Sequence, residues 1–355
     1  MTIFELVTAS ELVAYWNTMA HQRGPYLGES LFPARKKRGL NLKWIKGSKG
    51  LPVVLNPSAY DAKVKIRDRI GFSTVSTNMP FFKEGVLIDE ETRQELNMVL
   101  ETNNPAYVDS VMNNVFDDET RLLEGARAQR ERMRMQLLTT GLIAISANGQ
   151  DYNYDYGIPS THKVQTTVPW SNPAADIMGD IKTWQDLIED ETGVRPTRAI
   201  CDRATFNYFL KNDAIIKSNF VLSNGQAALN EPMVRRYLQE NLGLTIEVNT
   251  KKFVDEAGAT KPFIPANTFT MIPEGDLGST WFGTTPEESD LMAGQIGNST
   301  QVAIADTGVA VATHGQFDPV NVETKVSMIC LPSFEAADQI IIADVSHTGE
   351  GSGVT

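Results

Sequence analysis

The run from 115 to 140 dictates more of the fold than any other stretch. Asp117, Asp118 and Glu119 stand at its start, where negative charge complements the helix dipole. Leu122, Ala126, Met133, Leu137 and Leu138 recur along one broad stripe, and Gly141 supplies a stop. Counted from Asp117, about 24 residues at 1.5 Å each give a helix of ~36 Å. That is long for a compact domain, and a helix of this length serves as a strut. Arg127, Arg130, Arg132 and Arg134 occupy its remaining surface, where Glu124 and Glu131 offer salt-bridge partners for a solvated face.

Upstream of the strut, period-2 spacing takes over. In the segment 62–67, Val64 and Ile66 fall on one face and Lys63, Lys65 and Arg67 on the other, as in a strand wet on one side. A second extended run, 72–79, follows Gly71 and ends before Pro80. Together they predict a long two-stranded projection. An isolated hairpin is marginal in water, so such a projection needs a partner chain. Before it lie Arg35, Lys36, Lys37 and Arg38, then Lys43, Lys46 and Lys49, with no acid between residues 31 and 60. A basic arm of this kind meets nucleic acid or an acidic partner surface, or else remains a solvated loop.

Downstream, the pattern is mixed. A helix follows Ser171-Asn172-Pro173, with Asn172 as N-cap, Ile177, Ile181, Trp184, Leu187 and Ile188 at helical spacing, and Gly193 as its end. A short buried strand is expected over 197–201, helices over 204–211 and 232–240, and strands over 244–248 and 268–272. Long helices, scattered strands and no regular βαβ alternation define an α+β chain. No repeat of ~20–50 residues appears, which removes solenoids and propellers.

The chemistry of sites is sparse. The four histidines, His21, His162, His314 and His347, make no i,i+4 pair, and no Cys-x-x-Cys exists, so a zinc site lacks its ligands. Cys201 and Cys330 sit in apolar runs, which fits core packing in a reducing compartment better than a disulfide or a catalytic thiol. Phosphate-cradling glycine loops are absent. The segment 151–157 evokes a calcium loop, but His162 stands where the twelfth-position Glu belongs, and it is rejected. No catalytic, cofactor-binding or metal residue is therefore assigned. A net charge of −12 argues against a surface that grips nucleic acid throughout. The first residues lack the basic n-region of a signal peptide, and no apolar run approaches a membrane span. A chain made in the cytoplasm is the expectation.

The order of these parts resembles the major capsid protein of tailed bacteriophages, and within it the lambda-type family, major capsid protein E, of the Hong Kong 97 fold. Gly28-Glu29-Ser30-Leu31-Phe32-Pro33 before the basic run is similar to that family's early arm segment. Residues 265–273 with Trp281-Phe282-Gly283 resemble its late strand and turn, and 325–332 with 338–345 its closing strands. The resemblance implies an N-terminal arm (1–50), an extended loop (51–90), a peripheral domain with the long spine helix (91–175 and 321–346), an axial domain (176–320) and a flexible tail (347–355). It implies hexamers and pentamers closing an icosahedral head around double-stranded DNA, in the virion, after assembly in the host cytoplasm. Portal, decoration protein and a separate scaffolding protein are the implied partners, the last because no long coiled-coil segment precedes the arm. Arg35, Lys36, Lys37, Arg38, Lys63, Lys65 and Arg67 are then candidates for contacts between subunits, and Arg127, Arg130 and Arg134 for the lumen face. A nanocompartment shell of the same fold and a hydrolase with a dispersed active site are the alternatives.

Overall fold

The computed structural model describes residues 8–19, 24–46, 73–88, 105–219, 229–297, 299–318 and 320–346, with the isolated positions 90, 94 and 98. The strand expected over 62–67 lies outside them. The chain divides into two compact units, one made of Met1–Leu42, Ser76–Met133 and Ser279–Ser333, the other of Lys43–Val75, Arg134–Gly278 and Phe334–Thr355. The break thus falls at 278/279, so residues 279–318 belong with the first unit and not with the stretch 176–278 that precedes them.

The first unit is built on a six-stranded sheet. Its order is Ala34–Lys36, Gly278–Phe282, Val320–Phe334, Val309–Phe317 and Thr300–Ala305, with Phe81–Ile88 also paired to Val320–Phe334. Val320–Phe334 is almost wholly buried, as a strand flanked on both sides must be. Its antiparallel register with Val309–Phe317 runs from Phe317↔Val320 to Val309↔Met328. The long helix spans Pro105–Thr140, 36 residues or ~54 Å, ten residues earlier than the sequence pattern predicts. Pro105 is a good first helical residue because its missing N–H has no partner to lose there. The helix ends as expected at Gly141, whose φ of +75° only glycine adopts without strain.

Gly125 lies mid-helix and exposed, and a Cβ there would meet no heavy atom within 4 Å. Gly125→Ala is therefore expected to raise unfolding stability by about 1 kcal/mol through backbone entropy. Denaturant titration checks this, and a loss of stability would show that the helix needs glycine at this point.

The second unit centres on a five-stranded mixed sheet, ordered Lys163–Gln165, Ile341–Asp344, Thr268–Ile272, Arg198–Cys201, Thr245–Val248. Thr268–Ile272 is antiparallel to both neighbours, whereas each outer pair is parallel. The parallel pair Arg198–Cys201 and Thr245–Val248 is joined through the helices Arg203–Lys211, Asp213–Asn219 and Glu231–Leu242, a crossover that the sequence pattern does not announce. Helix Ile177–Thr192 starts from Asp176, which accepts from Gly179 N at 2.9 Å, rather than from Asn172; Gly193 (φ +72°) closes it as expected. Asn172 instead caps a local turn through Ala174 N. Ile181, Ile188, Trp184, Phe206, Phe209 and Phe269 pack around Trp170 in the core, with Trp170 5.8 Å from Trp184 and 5.3 Å from Phe209 between ring centroids. Cys201 belongs to this core and Cys330 to the buried strand of the other unit, both as free thiols; burial pushes the Cys201 thiol up, away from reactivity.

Candidate assembly surfaces

The basic arm is a strand edge and not a solvated loop. Ala34–Lys36 pairs parallel with Gly278–Phe282, matching Arg35 to Trp281 and Lys36 to Phe282. The Arg35 guanidinium lies 5.9 Å from the centre of the Trp281 ring. Lys36 Nζ reaches Glu288 Oε2 at 2.5 Å and donates to the Gly283 carbonyl at 3.0 Å. This engages Lys36 within its own subunit: a lysine tied to a buried carboxylate would have to leave that charge unpaired to reach a neighbour. Lys37 donates its backbone N–H to the Phe282 carbonyl, and Arg38 beyond it is exposed.

Arg127 and Arg130 also turn inward, each to a carboxylate that is not on the long helix. Arg127 grips Glu29 through Nε (2.7 Å) and Nη2 (3.0 Å), donates to the Gly24 carbonyl and stacks 4.8 Å over Tyr26. The adjacent Gly28 N–H donates to buried Glu131 at 3.0 Å. Arg130 pairs with Asp306 Oδ2 at 2.8 Å and lies 5.6 Å from the Phe282 ring centre. Arg130 is 7% exposed and Arg134 3%, so neither guanidinium offers much surface to a polyanion in a lumen. Arg127 and Arg130 thus clamp the arm and the sheet.

Asp306 is a residue that sequence reasoning misses. It occupies a left-handed turn (φ +50°) between Thr300–Ala305 and Val309–Phe317. Its Oδ1 accepts from Trp16 Nε1 at 3.2 Å while Oδ2 takes Arg130, so one carboxylate joins the first helix Ala9–Thr18, the long helix and the sheet. Burial raises its pKa, but the Arg130 charge and the two donors outweigh that and hold the carboxyl below its usual range. One residue earlier, Tyr15 OH donates to Asp117 at 2.6 Å, which pushes the phenol up. The only local hint is the turn-forming Asp306-Thr307-Gly308.

The extended run 73–78 is a strand, Ser73–Asn78, and Pro80 interrupts it before Phe81–Ile88 as expected. Its described partner is Asn41–Lys46, so Lys43 and Lys46 belong to the stem. Lys63, Lys65 and Arg67 lie outside the described residues.

A cleft of about 470 Å³ in the first unit is lined by Glu287, Asp290, Thr300, His314, Glu323 and Lys325 among others. Glu287 is ion-paired there to Lys325 at 2.5 Å and accepts from Ser327 at 2.8 Å. Burial opposes its ionisation, yet these contacts keep it below the ordinary carboxylate range, which suits structure rather than proton donation. His314 Nδ1 bonds Thr300 Oγ1, and buried His162 lies 2.9 Å from Glu191. The segment evoking a calcium loop is a strand, Gln150–Asp155, hairpinned to Leu142–Ala147. Among the described residues no group of His, Cys, Asp and Glu could hold a metal ion, and no helix is long and apolar enough to cross a membrane.

Comparison with known proteins places this architecture. The phage major capsid protein E family matches residues 8–345. No curated protein sequence matches the chain. Among solved structures it is similar to a capsid protein of a prophage of E. coli CFT073, at 14% identity and TM-score 0.60, over 95% of this chain and 99% of that one. It is also similar to a phage-related protein from Bordetella bronchiseptica RB50, at 14% identity and TM-score 0.54, over 96% and 97%. At such identity these likenesses establish the fold, which is of the Hong Kong 97 type. With the match extending over nearly its whole length, the chain belongs to the phage major capsid protein E family and is a structural protein of the virion shell, not an enzyme.

Proposed function

We propose that the chain assembles as hexamers and pentamers into an icosahedral head that encloses the double-stranded DNA of a tailed phage. The family match over 8–345 is the observation that carries this reading. The stem Asn41–Lys46/Ser73–Asn78 supports it, because a two-stranded ribbon gains stability by lying on a neighbour. In this reading the long helix and six-stranded sheet form the peripheral domain, and the lobe around the five-stranded sheet forms the axial domain. Many weak contacts between copies would hold the closed shell by avidity. A net charge of −12 suits a container that must let its genome enter and leave. A separate scaffolding protein, a portal and a decoration protein complete the proposed set of partners.

Negative-stain electron microscopy of the purified chain, expressed with and without its genomic neighbours, tests the reading. Closed isometric shells are expected; discrete monomers or dimers in both preparations would overturn it. Within it, Lys63, Lys65 and Arg67 carry contacts to acidic surface on adjacent subunits. Reversing all three to Glu is expected to abolish shells while the circular dichroism spectrum stays native. Normal shells from that variant would remove these residues from the interface.

A further inference from the structure

The tip of the hairpin Leu142–Ala147/Gln150–Asp155 carries chemistry that the head reading does not use. Two residues make the turn, since Ala147 is the register partner of Gln150. Both are left-handed, Asn148 at φ +52° and Gly149 at φ +72°. Asn-Gly is the pair this turn favours, because positive φ at both positions matches the twist of the flanking strands. Both residues are exposed, and a Cβ on Gly149 would meet no heavy atom within 4 Å. Among the described residues no hydrogen bond holds the Asn148 carboxamide or the Gly149 N–H. Glycine also leaves its own backbone nitrogen unobstructed, since it has no Cβ to block an approach to the preceding side chain.

We propose that Asn148 is a site of self-modification. The Gly149 nitrogen gives its proton to a solvent base and attacks Asn148 Cγ. The Cγ–Nδ2 bond breaks, the nitrogen leaves as ammonia with a proton from solvent, and a five-membered succinimide closes. Water then opens the ring, and nothing is oxidised or reduced. Addition at Cγ gives aspartate in the ordinary chain. Addition at the backbone carbonyl carbon gives isoaspartate, whose chain runs through Cβ and Cγ.

The two products act differently on the hairpin. Aspartate followed by glycine still suits the turn and adds one negative charge. Isoaspartate adds an atom to the backbone of a turn that closes with two residues, so Ala147 and Gln150 lose their pairing. That register sets buried Ile143 against Tyr154 and buried Ile145 against Tyr152, with the two tyrosine rings stacked at 6.2 Å. Among the described residues the hairpin pairs with no third strand that would hold the register once the turn fails.

The experiment incubates the full chain in mildly alkaline buffer, folded and in parallel in urea, and follows it by peptide mapping with fragmentation that separates isoaspartate from aspartate. Both products are expected at 148 in the folded chain, at a rate no more than about 10-fold below that in urea, because a turn without packed side chains opens readily. Mapping separates this site from the other Asn-Gly pair, Asn224-Gly225, which lies outside the described residues. Amide exchange across 142–155 should quicken in step with the isoaspartate content, while freshly made Asn148→Asp stays as protected as fresh wild type. A folded-state rate further below the urea rate, or aspartate without isoaspartate, would overturn the proposal. Unchanged protection in chains that carry isoaspartate would overturn its effect on the hairpin. None of these readouts depends on shells forming.

Discussion

Trp170→Ala is expected to lower unfolding stability by about 3–5 kcal/mol, the range for deleting a large buried aromatic. Trp170 is 1% exposed, with Trp184, Phe209 and Phe269 all within 5.8 Å between ring centroids, so the rings around the cavity cannot collapse without breaking their own contacts. The substitution also removes the indole N–H that donates to Asp180 at 2.9 Å. Denaturant unfolding followed by fluorescence would measure the loss, and Trp170→Phe should recover part of it by refilling the space. A change below about 1 kcal/mol would mean that the cluster is far looser than its geometry states. Because each shell subunit must fold before it can assemble, fewer particles per cell should accompany the loss.

Asp306→Ala is the second large effect, at about 3 kcal/mol, because it strands the Arg130 guanidinium without its counter-charge at a site 7% exposed. It releases the Trp16 indole N–H at the same time. Asp306→Asn keeps an acceptor but not the charge, and its pH dependence carries the sign. The carboxyl is held below its usual range, so its stabilisation is complete above the ordinary carboxylate value and is lost as pH falls through the lowered one. The wild-type advantage over Asp306→Asn should therefore be full at pH 7 and shrink steadily below about pH 4. An advantage equal at pH 7 and pH 3 would show that Asp306 acts by packing alone.

Much of the local structure is legible in the residues, for reasons that are local. Gly141 and Gly193 end helices because each takes a left-handed φ that other residues avoid, and the stripe Ile177, Ile181, Trp184 and Ile188 is buried because helical spacing puts it on one face. The strand 198–201 reads as buried because it is a short apolar run, and it is. The start of the long helix is ambiguous in the sequence: Tyr107, Val108, Val111 and Met112 carry helical spacing back toward Pro105, while the acids that mark a first turn stand at 117–119.

The assembly surfaces read less well. The basic run was visible as charge, but charge alone does not say whether Lys36 faces a neighbour or Glu288, 252 residues along the chain. The run 72–79 reads as extended from its residues, while which strand it pairs with, here 41–46, is a matter of tertiary pairing.

By itself, then, the sequence determined where the helices closed by Gly141 and Gly193 end, which cysteines are inert core, and, through the order of its parts, the family. The tertiary structure decided who pairs with whom. Asp306 meets residues 290 and 176 positions away, contacts whose loop-closure entropy is offset only once the sheet and both helices have formed around them.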